Sequence, residues 1–413
     1  MSTLRIAVIG GGAAGFFGAL ACAQTNPEAE VHIFERTPKL LSKVRISGGG
    51  RCNVTNAQTN PRRLSEHYPR GGQALRKAFQ QFGSRETMDW FTQRGVSLKS
   101  EADGRVFPVT DQSETIVHCL MQEAHDRGIR LHTKCGVTQL MPLQPGFRLS
   151  FSDLRTQDFD RVLIAAGGHP QARAYDWLRQ LDLQVVDPVP SLFTFNVPVH
   201  PLKSLSGVSV PTAQLQLLDS AQPKKAVQLG PLLVTHWGFS GPAVIKLSAW
   251  EALQLHELNY HFKFRINWIP EWHEEKLRAH FHEMRQLHAR KQVTTHALFQ
   301  LPNRLWQALV HQAEIPEQVR WSELPAKASH ALTQMLLYNT YEARGKTTFK
   351  EEFVTAGGID LAEVDLSTGE SRRHPGLHFA GEVLNIDGVT GGFNFQAAWT
   401  TGYLAGVHMA HVG

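Results

Sequence analysis

A chain of 413 residues is longer than one hydrophobic core usually serves, so more than one domain is expected. Hydrophobic content of 42% with charged content of 19% excludes a disordered chain. The net charge of +5 comes from scattered Lys and Arg, which permits anionic ligands without demanding nucleic acid, and Cys22, Cys52, Cys119 and Cys135 lie too far apart for a zinc ribbon, a thioredoxin motif or a disulfide scaffold.

The N-terminus, Met-Ser-Thr-Leu-Arg, has no secretory pattern, and no apolar run reaches the ~18 residues of a membrane span. A cytoplasmic protein with no membrane partner is expected. Leu4 to Ile9 reads as a buried strand ending at Gly10, an Ala-rich helix follows to about Gln24, and Glu30 to Phe34 supplies the next strand. Helical periodicity covers 73–95 through Leu75, Phe79, Phe82, Met88, Trp90 and Phe91, and 113–127 through Ile116, Val117, Leu120 and Met121. A meander of three strands is expected at 129–135, 147–151 and 159–166, extending the sheet of a doubly wound core.

Near residue 190 the texture changes, with Pro188, Pro190, Pro198 and Pro201 clustered. Strands are expected at 208–218, 226–235 and 258–268, then helices within 271–290 and 301–337. A strand at 347–354, a short strand before Gly381 and a helix at 394–410 close the pattern.

Gly10-Gly11-Gly12-Ala13-Ala14-Gly15 follows a strand and opens a helix, and Glu35 ends the next strand twenty residues later. In that context the first glycine makes the turn, the second admits a pyrophosphate, and the third lets helix and strand pack closely. The helix start offers free N–H groups to the diphosphate, and Glu35 would accept hydrogen bonds from an adenosine ribose. NAD and FAD share this fingerprint. The far end of the chain decides between them: a strand delivers Gly381-Glu382, and Gly391-Gly392 opens a helix near Asn394 and Phe395, whose amides would stabilise the negative charge of a reduced flavin. Gly48, Gly49 and Gly50 let backbone approach a ring or a phosphate, with Arg51 and Asn53 as donors. Cys52 has no partner cysteine and reads as a buried structural thiol.

These segments, with Ile46–Asn56 (ISGGGRCNVTN), Gly104–Pro108 (GRVFP) and Thr235–Pro242 (THWGFSGP), resemble the BaiN- and YhiN-like flavoproteins, some of them labelled aminoacetone oxidase-type enzymes, over nearly the whole chain. The resemblance implies an α/β fold: a Rossmann-like FAD-binding domain of glutathione-reductase-type topology, interrupted by a β-barrel-like plus helical insert. The expected boundaries are 1–190 and 346–413 for the FAD domain and 191–345 for the insert. It implies non-covalent FAD, with Glu35 and Arg36 at the adenosine, Val137 at the adenine through its backbone, and Gly381-Glu382 at the ribitol–phosphate region. Lys43, Ala166 and Gly167 complete the expected set, although Ala166 stands where many related flavoproteins have Thr, and Asn385 where Asp is common.

The implied activity is hydride transfer to or from a small organic substrate, either an unsaturated steroid-like ketone or a primary amine. The substrate is expected where the insert meets the Gly48–Gly50 loop and the Gly391–Asn394 helix start. Because no second G-x-G-x-x-G follows a strand, NAD(P)H is expected only as a transient donor. An RNA-associated flavoprotein and a flavin-binding protein without turnover are the alternatives. His236 is the candidate acid/base group, Ser240 is expected to cap the helix after Pro242, and no metal site is expected, His408 and His411 being the helical pair considered for one.

Overall fold

The computed structural model describes residues 3–218, 220–221, 226–347 and 354–411. The chain divides into two compact units, Met1–Ser191 with Lys350–Gly413, and Leu192–Phe349.

The first unit is built on a sheet with the strand order Leu377–Phe379, Arg161–Ile164, Arg5–Ile9, Glu30–Phe34, Arg130–His132, all parallel. The short strands Glu370–Ser371 and Val364–Asp365 add an antiparallel edge. Strand order reverses beside Arg5–Ile9, which makes the carboxyl end of that strand a switch point, where open α/β sheets bind ligands. Val8, Ile33, Leu163 and Ile164 are fully buried, as strands covered on both faces require.

Two small-residue helices lie close together. The N-terminal helix (Ala13–Thr25) carries Ala14 and Gly18, and the C-terminal helix (Phe393–Met409) carries Gly402 and Gly406. A Cβ on Gly402 would strike the carbonyl oxygen of Ala14, and one on Gly406 that of Gly18, so the contact exists only because those side chains are absent. Phe17 packs its ring against Trp90 and Trp399 at 4.6 and 4.5 Å, locking both helices into one core.

Several expected elements are displaced. The strand at 147–151 does not extend the main sheet: Val137–Pro142, Phe147–Phe151 and Thr156–Phe159 form a separate antiparallel meander. The expected 159–166 strand is interrupted at Asp160, whose side chain accepts a hydrogen bond from the backbone N–H of Arg5. The helix expected over 73–95 is two, Gly72–Gln81 and Ser84–Thr92. Between them the Glu86 carboxylate accepts from the Gly83 N–H and starts the second helix afresh.

The second unit holds a seven-stranded sheet ordered Asn339–Arg344, His261–Asn267, Ser209–Leu217, Val227–Val234, Gly238–Ser240, Thr194–Asn196, Lys346–Thr347, with every neighbouring pair antiparallel. Its first and last strands are one stretch of chain broken at Gly345, so the ladder returns on itself. Phe195, Phe239, Phe264 and Leu215 point inward, and Ala243, Val244 and Leu247 of the helix Pro242–Trp250 join them. Helices Glu274–Leu287, Asn303–Gln312 and Ala326–Leu337 complete this core around Trp306 and Trp321. Lys346–Thr347, expected to begin the returning FAD domain, pairs instead with Thr194–Phe195 of this sheet. Most of the strand expected at 347–354 lies outside the described residues. Ser240 does not cap the helix after Pro242; Gly241 is the cap residue and no side chain bonds there. No helix among the described residues is long and apolar enough to cross a membrane.

Candidate cofactor site

Three loops converge at the carboxyl ends of the parallel strands. The first is the glycine turn, whose residues divide by what surrounds them. A Cβ on Gly10 would strike the carbonyl of Ala165, and one on Gly15 the carbonyl of Gly10, so both glycines are required by packing. At Gly12, the residue before the helix Ala13–Thr25, a Cβ would meet nothing within 4 Å. That is the position where a phosphate must approach backbone, next to N–H groups the helix leaves without partners. Gly49, Gly50 and Gly167 are open in the same way, although exposed turn glycines such as Gly128 are open too, so the placement at the switch point gives the openness its meaning.

Glu35 lies against the turn, one carboxylate oxygen accepting from the N–H of Gly11 at 3.0 Å and the other from Thr37 at 2.8 Å. Two backbone donors fix it and leave lone pairs for a sugar hydroxyl. Arg36 is exposed, and its Cβ flanks Gly136, directly before Val137. Ala166 and Gly167 follow the strand Arg161–Ile164, beside Gly10. Gly381 sits over Ala14, where a Cβ would come to 2.7 Å from that methyl. Glu382 pairs with Lys43 at 2.5 Å and accepts from the N–H of Thr355, so two expected cofactor residues bridge loops 339 residues apart in sequence.

At the Gly391–Phe395 end the side chains serve the fold. Gly392 has φ 91°, and a Cβ there would strike the carbonyl of Thr55. The glycine is thus required by packing against the Asn53–Asn56 segment, whatever a ligand needs. Asn53, read from sequence as a ligand donor, is buried; its amide accepts from the Gly392 N–H at 2.8 Å and donates to the carbonyls of Thr55 and Val106. Asn394 closes its own loop, accepting from Gly388 N–H and donating to Gly388 C=O. Phe395 stacks on Trp399 at 5.5 Å. What these side chains leave for a ligand is backbone, the first N–H groups of the C-terminal helix.

Arg51 is likewise committed. Its guanidinium bonds Glu101 at 2.7 Å, faces Asp111 at 3.6 Å and lies 3.9 Å above the Phe107 ring. Cys52 is fully buried in a left-handed conformation, and burial pushes its thiol up to about 12, so it is a structural residue. His236 is exposed between Val227–Val234 and Gly238–Ser240, its ring edge-on to Trp237 at 4.4 Å. Burial, then the Arg36 charge, holds His169 below the ordinary imidazole range.

Sequence reading missed the pair that holds this end together. Asp387, fully buried, receives a two-pronged hydrogen bond from Arg70 and a third from the Ser191 hydroxyl at 2.9 Å. Asp387 lies in the glycine-dense C-terminal segment; Arg70, in a polar stretch with Arg62 and Arg63, carries no local signal. Tyr68 donates its hydroxyl to the Phe393 carbonyl, and Thr55 links through Gln396 to Thr400 inside the core.

The switch-point glycine turn, the carboxylate beside it and the C-terminal glycine segment belong to one sequence pattern: residues 4–408 match the HI0933-like protein Rossmann domain. The chain belongs to the HI0933-like family. It is 30% identical to a 3-dehydro-bile acid delta(4,6)-reductase of Clostridium scindens over 97% of this chain and 98% of the relative. It is 28% identical to a ribosomal RNA dihydrouridine synthase of Escherichia coli over 96% of this chain and 95% of the relative. Among solved structures, the 3-ketosteroid delta1-dehydrogenase of Sterolibacterium denitrificans, at 10% identity, has a similar fold, with a TM-score of 0.51 over 99% of this chain and 100% of that one. HI0933-like membership makes the chain a FAD-binding Rossmann flavoprotein of the oxidoreductase class. The cradle fits such a group: Gly12 is open where the diphosphate must pass, and Glu35 is held by backbone beside it.

Proposed function

We propose that this protein is a FAD-dependent reductase that saturates a carbon–carbon double bond conjugated with a carbonyl. The observation that carries the proposal is the likeness, over nearly all of each chain, to two enzymes whose names share that chemistry. A 3-dehydro steroid reduced at delta(4,6) and a uridine taken to dihydrouridine both present a ring double bond beside a carbonyl. Reduction is therefore favoured over the amine oxidation that the sequence left open.

Glu35 would hold the ribose of the adenosine, Arg36 and the Val137 backbone its base, Gly10, Gly12, Ala13, Ala14 and Gly15 the diphosphate. Lys43, Gly49, Gly50, Ala166, Gly167, Gly381 and Glu382 would line the middle of the cofactor, and Gly391, Gly392, Asn394 and Phe395 its ring end through backbone. The bound cofactor supplies the hydride. The helix starts at Ala13 and Phe393 supply fixed positive ends that favour negative charge without reorganisation. His236 offers an exposed imidazole as proton donor; His236→Ala should retain FAD and lose turnover. NAD(P)H is proposed as a visiting donor.

The test is anaerobic: the FAD-loaded protein is reduced and mixed with cyclic enones, including a 3-oxo-4-ene steroid, while the return of oxidised-flavin absorbance is followed. Faster reoxidation with a conjugated acceptor than with its saturated counterpart is expected. Equal rates with both would sink the proposal.

A second reading, an RNA substrate, rests on charge placement. Residues 192–349 hold 16 Lys and Arg against 11 Asp and Glu, together with 11 of the 21 His, whereas the rest of the chain holds 26 of each charge. The whole formal excess thus lies on the inserted unit, a pattern that suits a polyanion better than a neutral ring. Ribosomal RNA as acceptor, with binding that falls steeply with salt, separates this reading from a free small molecule.

A further inference from the structure

The sequence pairs His408 with His411 on one helix face, but the fold gives it other neighbours. Glu370 and His378 are directly opposed on neighbouring antiparallel strands, which puts their side chains on one face of the sheet. His408, in the last turn of the C-terminal helix, comes down onto that face. His378 Nε2 and His408 Nδ1 are 2.9 Å apart, Glu370 Oε2 is 4.0 Å from His408 Nε2, and one ligand atom from each residue lies within 4.8 Å of the others.

The second contacts favour coordination. His378 is completely buried, and its Nδ1 faces the Gly376 carbonyl at 3.3 Å, which places the proton on Nδ1 and the lone pair on Nε2, toward His408. Glu370 is steadied by accepting the Gly376 N–H at 2.8 Å. The Arg161 guanidinium is turned into the carbonyls of His408 and Met409. Two ligand nitrogens in a tetrahedral zinc site lie about 3.3 Å apart, from metal–nitrogen bonds of ~2.0–2.1 Å, so a few tenths of an ångström separate the observed pair from a ligating one.

We propose that Glu370, His378 and His408 bind a divalent transition ion of the zinc type, with solvent completing the shell on the side where Glu370 and His408 are partly exposed. The helix rises about 1.5 Å per residue, so the site stands roughly 22 Å along the helix from Phe393. An ion there clamps the end of the helix to the sheet and takes no part in hydride transfer. The inference is independent of the proposed reaction.

The experiment uses the full chain with its FAD, stripped of metal by a chelator and titrated calorimetrically with zinc chloride. Cobalt(II) serves as a visible-absorbing probe of coordination. One ion per chain at micromolar affinity or tighter is expected, with at least a tenfold loss in His408→Ala and in Glu370→Gln and FAD content unchanged in both. These two are chosen because His378 is so deeply buried that its replacement could disturb folding by itself. Absence of saturable binding, or binding unaltered in both variants and so attributable to other histidines, would overturn the proposal.

Discussion

Gly12→Ala and Gly15→Ala are the same chemical change three residues apart, and the structure expects opposite outcomes. At Gly12 the new methyl meets no protein atom within 4 Å, and the backbone (φ −97°, ψ −168°) is extended and open to any residue. Losing glycine at a helix N-cap costs about 0.5–1 kcal/mol, and the lower entropy of the unfolded chain returns about 0.4–1 kcal/mol, so apoprotein stability should move by no more than about 0.5 kcal/mol. Cofactor binding should not escape. The methyl stands ~1.5 Å beyond the Cα that a phosphate oxygen must approach, and displacing one or two charged hydrogen bonds worth ~1.5–3 kcal/mol each weakens FAD by roughly tenfold to several-hundredfold or more. At Gly15 the methyl strikes the Gly10 carbonyl, so the apoprotein should lose about 1–3 kcal/mol or more through overpacking. Urea melts of the apoproteins and fluorescence titrations with FAD measure the two quantities separately. Wild-type FAD affinity in Gly12→Ala, or equal destabilisation of both apoproteins, would refute the division of the turn into a packing pair and a ligand position.

Gly392→Val should lose FAD together with apoprotein thermal stability, because the side chain meets the Thr55 carbonyl; an apoprotein melting like wild type would show that the glycine serves the ligand alone. Arg70→Ala leaves the buried Asp387 carboxylate without its partner and should cost ~3–5 kcal/mol in urea melts, whereas the paired change Arg70→Met with Asp387→Leu should cost less than the single one. All four thiols are buried and pushed up by burial, so a disulfide reagent at mildly alkaline pH should find none in the native protein and four after denaturation. Burial, against the opposing Glu30 contact, holds His32 below the usual imidazole value. The depressed folded value means that its contribution is complete above about pH 6.5 and is lost as pH falls below it, so the urea midpoint should drop on acidification and drop less in His32→Phe.

The βαβ unit was legible because its signals are local: a buried strand, a glycine turn, an Ala-rich helix and an acidic residue in one short stretch. The C-terminal glycine segment was legible for the same reason. Long-range pairing was not. The alternation of Phe147–Phe151 is equally compatible with the main sheet and with the meander, and only its hydrogen-bonded neighbours decide. Donor chemistry at Arg51 and Asn53 was read from residue type, but Arg51 donates to Glu101 fifty residues away, and Asn53 donates to the carbonyls of Thr55 and Val106 while accepting from the Gly392 N–H at the far end of the chain, so both build the scaffold. Arg70 and His378 were silent because a single Arg or His acquires meaning only from the residue placed opposite it.

The glycine-on-alanine seam between the N-terminal and C-terminal helices also sets an order of events in biosynthesis. A ribosome adding ~5–20 residues per second needs roughly 20–75 seconds after finishing the first helix to deliver the second. Throughout that interval Phe17 lacks Trp399, the flat face around Gly18 lacks Gly402 and Gly406, and the glycine turn has no Gly381 over it. The first folding unit to be made is therefore the last to be completed, and the nascent chain passes most of its synthesis with an apolar stripe that a chaperone would recognise. Deleting the final helix should thus harm solubility more than deleting the whole inserted unit.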